Sequence, residues 1–150
     1  MKQLTYILAV FAAFIVTACQ NNGDIGDLFG SWRVDSYTID GQLQTGAPEK
    51  TVFRFQSSVV NVSLITDEFG GAYQRFGTWR ETDEEFVFDF THHDNTTSSG
   101  TDLYQAPEWL NFSSEAPMVL HKDERSSRSM TLSISDAQNR RHVYILSKTW

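Results

Sequence analysis

The sequence predicts an all-β domain, an eight-stranded antiparallel up-and-down barrel with one short helix near residues 107–112. From Trp32 onward, apolar and polar residues alternate with a period of two and not 3.6, which is typical of half-buried strands. About eight such runs follow one another at even spacing, and we find no long amphipathic helix between them. The chain has 150 residues, which is the length of one domain.

The first strand begins at Trp32 and ends before the turn signal Asp40-Gly41. Strict alternation places Trp32, together with residues 34, 36 and 38, on one face of this strand, and Tyr37 on the other face. The fifth strand carries the strongest apolar stripe, three alternating phenylalanines. The predicted strands cover residues 32–39, 51–56, 59–65, 72–80, 86–90, 117–122, 130–135 and 141–148.

The lengths of the connections predict two different ends. In an antiparallel meander, successive connections alternate between the ends of the barrel. The second, fourth and sixth connections are short, at residues 57–58, 82–84 and about 124–128. The first and fifth connections are long, at residues 41–50 and 91–116, and the third and seventh are short. We therefore expect a closed floor, where the first strand starts, and a mouth framed by two long loops.

The N-terminus has the layout of a secretory signal peptide. Lys2 precedes an apolar run over residues 4–16, and small residues lead to Cys19, the only cysteine. The run is shorter than the ~20 apolar residues of a membrane-spanning helix. Val-Thr-Ala-Cys also resembles the lipobox of bacterial lipoproteins. The resemblance implies cleavage before Cys19 and attachment of fatty acyl chains such as palmitate, and two or more chains anchor stably. An ordinary signal peptide is the alternative.

We accordingly divide the chain into a signal peptide at residues 1–18, a polar tether at residues 19–27 and the barrel at residues 28–150. The residue after Cys19 is Gln20. Under the enterobacterial sorting scheme, the absence of an aspartate there favours the outer membrane. We expect an outer-membrane lipoprotein of the cell envelope, on its periplasmic or its surface face, and a monomer.

The charge balance argues against nucleic-acid partners. The formal net charge is −7, with 12 basic and 19 acidic side chains. Removal of residues 1–18 takes away Lys2 and no acid, so 11 basic side chains against 19 acidic ones leave −8. Such a surface repels nucleic acid and anionic headgroups. The expected membrane partner is therefore reached through the lipid anchor.

Gly30-Ser31-Trp32 at the head of a β-meander resembles the lipocalins, and more closely the lipocalin-like lipoproteins common in Bacteroidetes. Further support comes from Gly-Thr-Trp at residues 77–79, Pro-Glu-Trp-Leu at residues 107–110 and a Leu-Ser-Lys ending. The resemblance covers residues 28–150. It implies that Gly30, Trp32 and Lys148 close the floor, with Lys148 over the Trp32 ring in a cation–π contact. The family more often has an arginine in the place of Lys148.

An eight-stranded barrel is just wide enough to be filled by side chains or to hold one small ligand. The family resemblance and the long mouth loops favour a pocket for a small, partly apolar ligand. The candidate lining consists of inward apolar residues, which equally suit a plain core: Val34, Phe53, Phe55, Phe86, Phe88, Phe90, Leu120, Met130, Leu132, Tyr144 and Leu146.

The alternative is a non-enzymatic interaction module with a filled core, which contacts a protein or a glycan through loops 41–50 and 91–116. Tyr104 and Trp109 lie on the longer loop and could stack on sugar rings or serve as apolar lids. Two adjacent histidines at residues 92–93, with Asp94 and Asp102, suggest a metal loop. Adjacent side chains on an extended chain point apart, so we expect no metal there.

No catalytic elbow, phosphate-binding loop or zinc-helix motif is present in the sequence. We therefore expect no enzymatic activity and no cofactor.

Overall fold

The computed structural model describes residues 26–66, 71–91 and 105–149. In these segments the chain forms nine strands, β1 to β9. Their bounds are Gly30–Ile39, Gln42–Leu43, Thr51–Gln56, Val59–Ile65, Ala72–Glu81, Glu85–Asp89, Met118–Arg125, Ser129–Ser135 and Arg141–Lys148.

Eight of the nine strands close into one antiparallel barrel. Each strand from β3 to β9 pairs with the next along the chain, and β1 pairs with both β3 and β9. The register of the closing pair matches Trp32 with Lys148 and Val34 with Leu146. Since every pairing in the ring is antiparallel, the predicted eight-stranded up-and-down barrel is confirmed.

The additional strand, β2, is a two-residue hairpin arm on β1, in a segment for which the sequence predicted only a loop. It pairs Gln42 with Ile39 and Leu43 with Thr38. The turn between the arms is Asp40-Gly41, whose φ angles are 50° and 78°. Positive φ at both positions is what a two-residue type I′ hairpin requires, and Asp-Gly provides it.

The two ends of the barrel differ as the connection lengths predicted. The floor has the short connections between β3 and β4, β5 and β6, and β7 and β8, and the 3₁₀ helix Gly26–Leu28 leads into it. The mouth has the longer connections, with the 3₁₀ helices Pro48–Lys50 and Glu108–Leu110. The short helix predicted near residues 107–112 is thus a single 3₁₀ turn, which ends where Asn111 takes a left-handed conformation (φ 56°).

β-Bulges interrupt the alternation in β1 and β7. The register of β1 against β9 shifts between Val34 and Ser36, so Tyr37 pairs with the inward Tyr144 and is only 2 % exposed. The prediction that Tyr37 lies on the face opposite Trp32 was wrong, because one extra residue in the strand moves all later side chains to the other face. The shift in β7 falls between Lys122 and Glu124.

Close packing inside the barrel requires a glycine at position 77 of β5. A Cβ atom built on Gly77 would lie 2.6 Å from Cδ1 of Phe90 and 2.7 Å from the carbonyl oxygen of Asp89. The Phe90 ring therefore occupies the space that a side chain at this position would need. Phe90 is fully buried in the main apolar cluster.

Candidate ligand-binding site at the mouth of the barrel

The floor is closed around Trp32, which is fully buried. Its Nε1–H donates a hydrogen bond of 2.9 Å to the carbonyl oxygen of Leu28. Lys148 Nζ lies 5.9 Å from the centre of the Trp32 ring, in the position that the resemblance implied, and donates to the carbonyl oxygen of Asp27 at 2.9 Å. Gly30, at the head of β1, is buried beside them. This end binds the start of the domain to its last strand.

A second cation at the floor was not foreseen. The guanidinium carbon of Arg125 lies 5.6 Å from the centre of the Trp32 ring. Strict alternation along β7 points Arg125 outward, but the bulge after Lys122 pairs it with the fully buried Met130. Glu81 accepts a hydrogen bond of 2.8 Å from Lys122 Nζ and lies 3.5 Å from Arg125 Nε. The floor thus has its own counter-ion in Glu81, although the buried Nε of Arg125 makes no hydrogen bond among the described residues.

The candidate lining residues pack against one another inside the barrel. All of them belong to one apolar cluster and are at most 2 % exposed. Aromatic rings from β3 and β6 meet across the interior: the Phe53 and Phe88 centroids are 5.9 Å apart, and those of Phe55 and Phe86 are 6.0 Å apart. At these separations aromatic pairs are in contact. Side chains, and not an open space, therefore lie between β3 and β6.

Residues 105–112, here called the cap segment, cover the mouth. Leu110 is fully buried and Phe112 is 6 % exposed. The Phe112 ring lies edge-on to the Tyr144 ring, with the two centroids 5.5 Å apart, and its centroid is 5.6 Å from that of Phe88. Tyr144 Oη donates a hydrogen bond of 2.7 Å to the Leu110 carbonyl oxygen. Burial raises the pKa of Tyr144 above its ordinary value, so the hydroxyl stays protonated and keeps this bond.

Trp109 attaches the cap segment to the other side of the barrel. Its Nε1–H donates to Thr51 Oγ1 at 2.9 Å, and Thr51 Oγ1 donates in turn to the Ala47 carbonyl oxygen at 2.9 Å. The ring is half-buried, and its N–H is already used within the chain. Tyr104, the other residue considered for sugar stacking, lies outside the described residues.

A chain of hydrogen bonds joins the cap segment to β1 and β9. Asn111 Nδ2 donates to Tyr37 Oη at 2.5 Å, and Tyr37 Oη lies 2.8 Å from His142 Nδ1. On the far side of the imidazole, His142 Nε2 lies 3.0 Å from Asp136 Oδ2. The Tyr37 ring stacks on the Tyr144 ring with centroids 4.6 Å apart and an interplanar angle of 5°.

Asp136 is the ionised member of the network, and its Oδ2 accepts the hydrogen bond from His142 Nε2–H. The hydrogen bond between His142 Nδ1 and the Tyr37 hydroxyl takes its direction from the state of the imidazole. The hydrogen bond from His142 holds the pKa of Asp136 below its usual range, and Arg140 adds backbone and side-chain hydrogen bonds. His142 shares its face of β9 with Tyr144 and Leu146, and this period of two is the sequence signal that could have located it.

Beside the cap segment lies an open cleft of about 260 Å³, here called the mouth cleft. It combines apolar side chains with hydrogen-bonding groups: Asn111, Met118, Ile134, Asp136, Gln138, Arg140, His142 and Tyr144. Asn111 and Gln138 are exposed, and the Arg140 side chain is half exposed. Such a lining suits a small molecule with one apolar face and a polar edge.

The aspartate, histidine and tyrosine of this network have the order of a catalytic relay. Tyr37 is only 2 % exposed, and its hydroxyl is bonded to both Asn111 and His142, so it has no open side for a substrate. In the part of the chain that the structure describes, no three histidine, cysteine or acidic residues are grouped to hold a metal ion. The suggested metal loop at residues 92–94 and 102 lies outside the described residues.

Cys19 and the signal peptide also lie outside the described residues. Within residues 26–66, 71–91 and 105–149, no helix is long and apolar enough to cross a membrane.

Comparison with known proteins supports the fold. No protein-family model and no curated protein matches the sequence. A lipocalin-like protein from Bacteroides uniformis superposes with a TM-score of 0.53 at 17 % identity, over 82 % of this chain and 99 % of that one. An uncharacterised protein from Bacteroides eggerthii superposes with a TM-score of 0.57 at 14 % identity, over 81 % of this chain and 98 % of that one. The fold is therefore lipocalin-like, as the sequence resemblance indicated.

Proposed function

We propose that this protein is a membrane-tethered lipoprotein that binds a small, partly apolar ligand at the mouth of its barrel. The observation that carries the proposal is the mouth cleft, which offers apolar Met118, Ile134 and Tyr144 beside several hydrogen-bonding side chains. Its volume of about 260 Å³ is slightly below the usual range for drug-sized ligands, so the ligand is small.

The packed interior supports a site beside the cap segment over one at the centre of the barrel. A ligand between β3 and β6 would have to separate Phe53 from Phe88 and Phe55 from Phe86. It would also have to displace Phe112, which is in contact with Phe88 and Tyr144. Binding in the mouth cleft leaves all of these contacts in place.

A lipid anchor at Cys19 fits this arrangement. The described chain enters the domain at the floor, where Asp27 and Leu28 bond to Lys148 and Trp32. Residues 20–27 reach at most about 28 Å when fully extended. The floor then lies toward the membrane, and the mouth cleft is presented at the opposite end of the barrel.

Native mass spectrometry of the mature chain with Cys19→Ala, incubated with a bacterial lipid and metabolite extract, tests the binding. Ile134→Trp fills the mouth cleft, whereas Ile145→Trp adds the same side chain at an exposed position on the outside of β9. We expect one small molecule bound to the parent chain and to Ile145→Trp, and none bound to Ile134→Trp. A parent chain that binds nothing, or an Ile134→Trp variant that binds as well, would overturn the proposal.

The packed interior also favours a second candidate, the interaction module. Leu43, on the hairpin arm at the mouth, is 55 % exposed, and the long connections lie at the same end. A protein or glycan partner would then bind to loops 41–50 and 91–116. Ile134→Trp would leave such binding unchanged, whereas Leu43→Asp would weaken it.

A further inference from the structure

Arg75 places a positive charge on the inner face of β5, near the mouth. It pairs with Val62, which is fully buried on the inner face of β4. Its side chain is only 15 % exposed. On the same face, Gly77 follows it toward the floor, and Tyr73, 62 % exposed, precedes it toward the rim.

The guanidinium of Arg75 makes few hydrogen bonds within the chain. Among the described residues, the buried Nε of Arg75 has no hydrogen-bond partner. Its Nη1 donates to the Gln74 carbonyl oxygen at 3.3 Å, and its Nη2 lies 3.6 Å from Glu108 Oε1, beyond hydrogen-bond distance. The Glu108 side chain is 70 % exposed. At the floor, Arg125 also has a buried Nε without a hydrogen-bond partner in the described part of the chain, but Glu81, 3.5 Å from it, is only 26 % exposed and also binds Lys122 at 2.8 Å. A buried cation is costly unless it is paired and hydrogen-bonded.

Trp109 gives the guanidinium a flat support. The guanidinium carbon lies 5.8 Å from the centre of the Trp109 ring, which the hydrogen bond to Thr51 holds in place. The N–H groups of an arginine lie in the plane of its guanidinium, so an aromatic ring beside that plane leaves them available. Two of them match the two oxygens of a carboxylate. Among the described residues, Glu108 supplies the carboxylate that lies near this guanidinium.

We propose that Arg75 binds the carboxylate of an amphiphilic ligand at the mouth, against the face of Trp109. The ligand's carboxylate takes the place of Glu108 and forms the paired hydrogen bonds that Glu108 does not make. The apolar part of the ligand contacts the Trp109 and Tyr73 rings. This position lies on the β3–β5 side of the cap segment, whereas the mouth cleft lies on its β7–β9 side.

Titration calorimetry with three probes tests the inference on the mature chain with Cys19→Ala. Octanoate supplies a carboxylate and an apolar chain, octanol has the chain alone, and acetate has the carboxylate alone. We expect octanoate to bind at least about tenfold more tightly than octanol or acetate, since both parts contribute. Equal affinity for octanoate and octanol, or no octanoate binding, would overturn the inference.

Substitutions at Arg75 and Glu108 locate the site. Arg75→Met should weaken octanoate binding about tenfold or more. Arg75→Lys should retain part of the binding, because lysine keeps the positive charge but lacks the pair of parallel N–H donors. Glu108→Gln should bind octanoate more tightly, since the competing carboxylate is gone. The matched control is Arg80→Met, which makes the same substitution at an exposed outward position on the same strand.

Octanoate binding that is unchanged in Arg75→Met, or unchanged or weaker in Glu108→Gln, contradicts the inference. Thermal melting of each variant checks that it is folded. Ile134→Trp should leave octanoate binding unchanged, so failure of the Arg75 site and failure of the mouth cleft are distinguishable.

Discussion

At the scale of single residues, Asp136 and His142 show how the mouth is held together. His142 is only 3 % exposed, yet both of its ring nitrogens have partners, Tyr37 on one side and Asp136 on the other. Buried polar groups are stabilising only when all of their hydrogen bonds are made. Through Asn111 the same network reaches the cap segment, so the charge on Asp136 stabilises the attachment of the cap segment to the barrel.

The stability of the protein should depend on pH through Asp136. Because His142 holds the pKa of the folded Asp136 below that of the unfolded chain, the stabilisation is complete above about pH 5 and is lost as pH falls through the acidic range below it. We expect Asp136→Asn to be less stable than wild type at pH 7 and the difference to shrink at pH 3. Urea unfolding at both pH values measures it.

Asp83→Asn, in an exposed turn at the floor, is the control and should show no such convergence. A difference between wild type and Asp136→Asn that is as large at pH 3 as at pH 7 would contradict this reading of the network.

At the scale of elements, the cap segment is an irregular stretch that the barrel buries. Phe112 inserts its ring between Phe88 and Tyr144, while Trp109 and Asn111 bond to β3 and β1. Strands alone therefore do not complete the core of this barrel. The cap segment also separates the mouth cleft from the position of Arg75.

Phe112→Ala should lower the free energy of unfolding by about 3–5 kcal/mol, the usual cost of removing a buried phenyl ring. Chemical denaturation of the purified domain measures it. Glu115→Ala, exposed in the same connection, should change the free energy by less than about 0.5 kcal/mol. A change below about 1 kcal/mol in Phe112→Ala would show that the cap segment is not part of the core.

The two bulges mark the limit of prediction from sequence. The alternation of residues predicted the strands, the closure and the inward phenylalanines, because period two follows from strand geometry. The bulges in β1 and β7 shift that period by one residue and bring Tyr37 and Arg125 inward. Nothing in the local composition signals such a shift, since it depends on the register of the partner strands. The same bulge in β1 hides Tyr37 from its network with His142, although His142 itself follows the period of two in β9.

At the scale of the whole molecule, the two ends of the barrel have different roles. The floor joins the start of the domain to its last strand through Trp32 and Lys148 and has its own counter-ion in Glu81. The mouth has the open cleft and the poorly paired Arg75. The connection lengths predicted this asymmetry, because short turns close an end and long loops leave one available. The identity of the ligand depends on side-chain positions that alternation does not specify.

Anchoring should depend on Cys19 alone. Cys19→Ala removes the thiol to which acyl chains would attach and lies before the first described residue, so the barrel keeps its contacts. We expect the variant in the soluble fraction with an unchanged melting temperature. Membrane fractionation followed by a salt wash measures it, and a variant that stays with the membranes would contradict the anchor.

The binding of a ligand in the mouth cleft is tested most directly by methyl NMR of the protein. The spectrum is recorded with and without the small molecule recovered from the extract. Met118 and Ile134 line the cleft, while Leu120 and Leu132 point into the packed interior from the same two strands. We expect the ligand to shift the methyl signals of Met118 and Ile134 and to leave those of Leu120 and Leu132 nearly unchanged. The largest shifts at Leu120 and Leu132, or no shift at any of the four, would contradict it.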